Sequence, residues 1–188
     1  MFKQFLVVCT LALGLASLVE ATSVRQLLLD EIIDTSAVSF HGTCTANLTE
    51  RDAQTNLVVT YTTFEVKDVL KGNVKATHVI KQIGGKMPGG EMSFRVDGVP
   101  AFAVGEEYVV FLAGVSAAGF SSPIGLAQGK FTVKQNSLGQ RVANGRDFRD
   151  MAPTAGRFVL LPQATPPIHD LDLNEFKQLT RVRVANTQ

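Results

Sequence analysis

The chain has no tryptophan, only two tyrosines, two cysteines and three histidines among its 188 residues. Each shortage narrows the range of functions. With no tryptophan and 12 phenylalanines supplying most of the aromatic content, flat aromatics with polar tips for a carbohydrate platform are scarce. His41, His78 and His169 stand at no metal-ligand spacing, and no cysteine or carboxylate cluster completes a metal set. Charge of one sign is also lacking, with 18 basic against 17 acidic residues and no run of either. Neither nucleic acid nor an anionic membrane surface is therefore an expected partner.

Cofactor and nucleophile motifs are missing as well. Gly114-Val-Ser116-Ala-Ala118 lacks the second glycine of a nucleophile elbow. Gly85 and Gly90 have the separation of a phosphate-binding loop, but Glu91-Met92 follow where Lys and Ser/Thr are needed. No cofactor and no catalytic set is expected. Past the N-terminus no apolar run reaches the roughly 20 residues of a membrane span. The richest stretch, 101–115, is interrupted by Gly105, Glu106 and Glu107, so no stable membrane anchor is expected.

The N-terminus itself is distinctive. Lys3 precedes an apolar run from Phe5 to Val19, and Val19-Glu20-Ala21 supplies a cleavage pattern. Residues 1–21 read as a secretory signal peptide, which places the mature chain in the periplasm or outside the cell. Val8, just before Cys9, is too bulky for a lipid-attachment site. Removing the signal leaves Cys44 as the only thiol, so the exported chain is free of intrachain disulfides and relies on packing.

The remainder, with 45% hydrophobic and 19% charged residues, is globular in composition. Ser23 and Gln26 fit a capping box ahead of Leu28/Ile32 and Leu29/Ile33, which predicts a short amphipathic helix. Residues 37–50 alternate. Val38, Phe40, Gly42, Cys44, Ala46 and Leu48 share one face, and Ser39, His41, Thr43, Thr45, Asn47 and Thr49 share the other. On that pattern Cys44 is a buried, inert thiol, and His41 is an exposed strand residue. Asn47-Leu48-Thr49 is a formal glycosylation sequon with an outward Asn47. Residues 57–70 form the next strand, with a parity slip at Asp68-Val69-Leu70 that suggests a bulge.

Further strands are expected at 76–83, 92–96 and 108–112, at 124–128 and 130–134 as a strand pair or one strand bent at Gly129, and at 140–144. Residues 84–91 and 113–122 are glycine-rich loops. Four prolines mark 145–169 as a connector, and Asp172 with Glu175 opens a C-terminal helix that docks through Leu173, Phe176 and Leu179. The fold class is mainly β, a small, partly open, OB-like barrel or a sandwich with short terminal helices. Its parts are a signal peptide (1–21), a core with an N-terminal helix (22–144), and a connector with a C-terminal helix packed on that core (145–188).

Three phrases carry a resemblance. They are Tyr61-Thr-Thr-Phe-Glu-Val-Lys-Asp-Val-Leu-Lys-Gly72, Val104-Gly-Glu-Glu-Tyr-Val-Val-Phe-Leu112 and Gly125-Leu-Ala-Gln-Gly-Lys-Phe131, with Gln82-Ile-Gly-Gly85 between the first two. Together they resemble segments of small exported bacterial proteins of unknown function, in consistent order across residues 33–144. That family implies no activity. The strand–Val-Leu-Lys-Gly–strand rhythm is also similar to netrin-like, TIMP-type OB domains. In such inhibitors an N-terminal cysteine chelates the target's metal and disulfides brace the fold. Here the mature end is Thr22 and only Cys44 remains, so the resemblance implies architecture and no metalloprotease inhibition.

The functional expectation is an exported binding or interaction module for a protein or envelope polymer. Its contact residues lie in the two loops: Gly84, Gly85, Lys86, Gly89, Gly90 and Glu91 in one, Ser116 and Ser121 in the other. The alternatives are an envelope-acting enzyme built around His41 and strand-end carboxylates, and a secreted protease inhibitor acting through an exposed loop.

Overall fold

The computed structural model describes residues 24–90, 93–151 and 166–187. The expected signal peptide, Ser23 and Glu91 lie outside them. The protein is mainly β: a seven-stranded antiparallel sheet, a two-stranded hairpin, and a helix at each end of the described chain. Helix α1 (Leu29–Thr35) is followed by β1 (Val38–Arg51), β2 (Val58–Lys71) and β3 (Thr77–Ile83). The hairpin pairs β4 (Gly85–Lys86) with β5 (Ser93–Phe94). Then come β6 (Glu107–Leu112), β7 (Lys130–Asn136), β8 (Gly139–Ala143), β9 (Leu171–Asp172) and α2 (Leu173–Thr187). The strand order is β3-β2-β1-β6-β7-β8-β9 with no pairing between its two edge strands, so the sheet does not close into a barrel and fits a sandwich or an open barrel.

Helix α1 starts later than the Ser23/Gln26 pattern predicts. Residues 25–27 are instead held outside the helix by two side chains from distant loops. Gln128 accepts from the Leu27 N–H at 2.8 Å and donates to the Arg25 carbonyl, and Arg146 donates to the Leu27 carbonyl at 2.9 Å. The reach-back carboxylate belongs to Glu31, which accepts from the Leu28 N–H. At the other end the expected cap is present: Asp172 Oδ1 accepts from the N–H groups of Asn174 and Glu175.

Strand β6 lies between β1 and β7 and is buried on both faces, which is why Tyr108–Leu112 is almost continuously apolar. It divides the core. Val109 and Phe111 face the helices, where they join Leu29, Ile32, Ile33, Phe131, Phe148, Met151, Leu173 and Phe176. Tyr108, Val110 and Leu112 face away, toward Phe40, Cys44, Phe64, Ile80 and Phe102. The connector expected after residue 144 is partly core, since Phe148 and Met151 are buried in the helix-side cluster. Ion pairs tie α2 down: Arg183 to Asp34 and Asp30 on α1, and Lys177 and Arg181 to Asp68 on β2.

The parity slip read at 68–70 is a real pair of bulges. Phe40 pairs with Val69 and Ser39 with Lys71, leaving Leu70 unopposed, and His41/Asp68 steps to Gly42/Val66. The slip carries Leu70 into the helix-side core while Phe64 stays on the other face. A third bulge, between Cys44 and Ala46, has no obvious sequence signal. It leaves Thr45 unopposed and reverses the face of everything after it.

Candidate functional site

The bulge at Thr45 builds the site. Strict alternation would put Asn47 and Thr49 with His41, and Leu48 with Cys44. With one extra residue inserted, Asn47 and Thr49 turn to the same side as Cys44, and Leu48 is 54% exposed on the opposite face. Cross-strand rows then form on that side. Cys44 lies opposite Phe64 and Phe64 opposite His78. Asn47 lies opposite Thr62 and Thr62 opposite Ile80. Thr49 lies opposite Thr60 and Thr60 opposite Gln82. The face therefore grades from apolar rows near β6 to a polar patch at the far ends of β1–β3.

A strap of chain, residues 84–90 and 93–106, crosses this face. Phe102 anchors it, edge-on to Phe64 at 5.0 Å and to Tyr108 at 5.1 Å, with the Lys130 ammonium over both the Phe102 and Tyr108 rings. Polar side chains of the sheet hold its backbone. Asn47 Nδ2 donates to the Phe102 carbonyl (2.7 Å), Thr60 Oγ1 donates to the Gly84 carbonyl (2.7 Å), and the Tyr108 hydroxyl accepts from the Ala103 N–H. Gly85 is required where the strap starts. Its φ is +141°, and a Cβ there would sit 2.2 Å from Thr60 Oγ1.

Between strap and sheet lies a groove of about 490 Å³. Its floor is Asn47, Thr49, Thr60, Thr62 and Gln82, its apolar wall includes Val99, Pro100 and Phe102, and its rim carries Lys86, Phe94 and Arg95. The hydroxyl protons of the floor are already committed. Thr60 gives its proton to Gly84, so in the 2.9 Å contact between Thr49 and Thr60 the donor is Thr49. Thr62 donates to Asn47 Oδ1 at 2.7 Å. Gln82 is 4% exposed, and its buried Nε2 has no hydrogen-bond partner. Such a donor carries a desolvation cost of about 1–3 kcal/mol until something accepts from it.

The expected loop residues are divided by the structure. Gly84, Gly85 and Lys86 line the groove, and Gly89 and Gly90 are exposed in the turn of the hairpin above it. The loop 113–122 is elsewhere. Ser121, expected at a contact surface, is buried: its N–H donates to the Lys81 carbonyl and its hydroxyl to the Ala113 carbonyl, which clasps the loop to the edge of β3. Ser116 is exposed and accepts from the Phe120 N–H within its own turn. The same loop covers an ion pair on the outer face of β3. Lys81 Nζ is 2.8 Å from Asp52 Oδ1, donates to the Ala118 carbonyl and lies over the Phe120 ring. Lys81 and Thr55 hold the Asp52 carboxyl well below the usual carboxylate range.

His41 is not the exposed strand residue that alternation predicts. It is 4% exposed, because its side of β1 is covered from the α2 side rather than open to solvent. Its Nε2 is 2.9 Å from Glu107 Oε2, and Lys67 holds the other carboxylate oxygen. Burial pushes the imidazole pKa down, and the Glu107 hydrogen bond only partly restores it. The neutral ring gives its Nε2 proton to Glu107, leaving Nδ1 without a partner. His41 is not among the residues lining the groove. Cys44 is fully buried, and burial raises its thiol pKa, as expected for an inert cysteine. Asn47, expected outward, points its amide into the groove and spends it on Phe102.

Sequence reasoning missed Asn47, Thr49, Thr60, Thr62 and Gln82 as a group. The available signal was the density of Thr and Asn in 43–63, which is unusual for a strand pair meant to bury one face. No helix among the described residues is long and apolar enough to cross a membrane. Compared with known proteins, the chain matches no family model, and no curated protein or solved structure is significantly similar to it.

Proposed function

We propose that this protein is an exported binding module that takes its ligand in the groove between the strap and the β1–β3 face. The observation that carries the reading is Gln82, a buried side chain on the groove floor whose donor is left without a partner. Buried polar groups in folded proteins are almost always paired, and of the unpaired buried side-chain atoms among the described residues the Gln82 amide is the one in a residue that lines this groove. The surrounding chemistry supports it: a concave site, an apolar wall, and a few convergent polar groups. The export half of the reading rests on the signal-like residues 1–21. Residues 84–86 belong to the contact surface on this reading, whereas 113–122 is a structural clasp.

Ala101→Trp tests the groove. Ala101 lines it but is exposed, so the indole fills the space without entering the core. The native chain and the variant are titrated with a panel of acidic and neutral oligosaccharides and acidic and neutral peptides. A ligand that the native chain binds and the variant binds at least about tenfold more weakly, a loss of about 1.4 kcal/mol, supports the reading. Equal binding by both, with equal thermal stability, overturns it.

A further inference from the structure

Resting on that reading, we infer that the groove takes an acidic sugar: a glycan unit with free hydroxyls and a carboxylate, sulfate or phosphate group. Three features of the lining converge on this class. The first is the hydrogen-bond polarity of the floor. With their protons committed, Thr49 and Thr62 retain only acceptor capacity toward a ligand. Gln82 Nε2 and the second N–H of Asn47 retain donor capacity. A ligand must therefore both give and receive hydrogen bonds within a few ångströms, as neighbouring sugar hydroxyls do. A fully deprotonated anion such as sulfate only receives.

The second feature is charge. Lys86 and Arg95 are the charged groups of the lining, both are exposed, and neither has an acidic partner among the described residues. Among the described residues no carboxylate lines the groove to offset them. The third is Phe94, 42% exposed and part of the groove lining, an aromatic ring on which the C–H face of a sugar can pack. A peptide fits less well. Extended peptides are held mainly by main-chain bonds to an open strand edge. This floor is a sheet face, and it offers side-chain hydroxyls and amides.

Calorimetric titration with defined probes tests the inference. These are a uronic acid tetrasaccharide, a sulfated tetrasaccharide, a phosphorylated oligomannose, neutral maltotetraose and hexaglutamate. At least one acidic saccharide is expected to bind, more weakly as salt rises. Lys86→Glu with Arg95→Glu is expected to weaken it by at least about tenfold, consistent with lost charge-assisted bonds. Gln82→Met is expected to weaken it too while leaving thermal stability unchanged or raised, because an unpaired donor is replaced by an apolar chain. A purely structural glutamine would give a fall in stability with no separate effect on binding.

Preference for maltotetraose or hexaglutamate, abolished by Ala101→Trp, overturns the acidic-sugar assignment and leaves the groove as the binding site. Absence of any binding sensitive to Ala101→Trp overturns both. Acidic saccharide binding that is indifferent to the charge reversal and to Gln82→Met overturns the assignment of the site to these residues.

Discussion

The two faces of the sheet bury similar aromatic clusters but close them by different means. On the helix side Phe111, Phe131, Phe148 and Phe176 interlock with centroids 4.9–6.1 Å apart, and α1 and α2 cover them. On the strap side Phe40, Phe64, Phe102 and Tyr108 meet at 5.0–5.4 Å, but the cover is irregular chain tied down by side chains of the sheet. A helix satisfies its own backbone and can seal a face with apolar side chains alone. A strap cannot, so the sheet beneath it must supply hydroxyls and amides. Those same groups make the far end of that face polar, and a groove forms there between sheet and strap. The sealed face is architecture, and the laced face is where binding chemistry can be built.

The largest test of this contrast is Phe131→Ala. Phe131 is fully buried among three other rings, and its truncation is expected to cost about 3–5 kcal/mol in urea unfolding. Groove variants such as Ala101→Trp should change stability little by comparison. If Phe131→Ala were equally mild, the helix side would not be the structural core.

An intermediate effect is expected from Lys81→Met, measured as a drop in thermal midpoint. It leaves Asp52 beside Tyr61 without its cation, and adding Asp52→Asn should recover part of the loss. No recovery would mean that Lys81 contributes through its contacts with Ala118 and Phe120 and not through the Asp52 pair.

The smallest expected effect is the pH dependence from His41. Its folded pKa is depressed, so the unfolded chain binds the proton more readily. Stability from this group is therefore full above about pH 6.5 and falls as pH drops from there toward the folded value. The slope is at most about 1.4 kcal/mol per pH unit for one proton. His41→Gln should flatten the urea midpoint between pH 7 and pH 5. An unchanged slope would assign it to other groups.

Much of the architecture was legible because it depends on local pattern. The near-continuous apolar run of β6, the bulge at 68–70, the Asp172 cap and the burial of Cys44 all follow from spacing and residue type. The candidate site was half legible. Glycines 84 and 85 pointed to the strap, but the floor did not, because its facing depends on one unopposed residue, Thr45. His41 was misplaced for a similar reason. Alternation reports that Ser39 and His41 share a face, but not that α2, more than 130 positions later in the chain, lies on that side.

Composition and period alone determined a mainly β chain with helices at its ends, an inert thiol and a signal-like N-terminus, since each depends on neighbours within a few residues. Tertiary structure alone decided which faces are covered, that a helix-like start is held outside the helix by Gln128 and Arg146, and that a bulge turns threonines and an asparagine inward beneath the strap. A register shift of one residue reverses a strand's faces, and alternation along β1 does not reveal the one at Thr45.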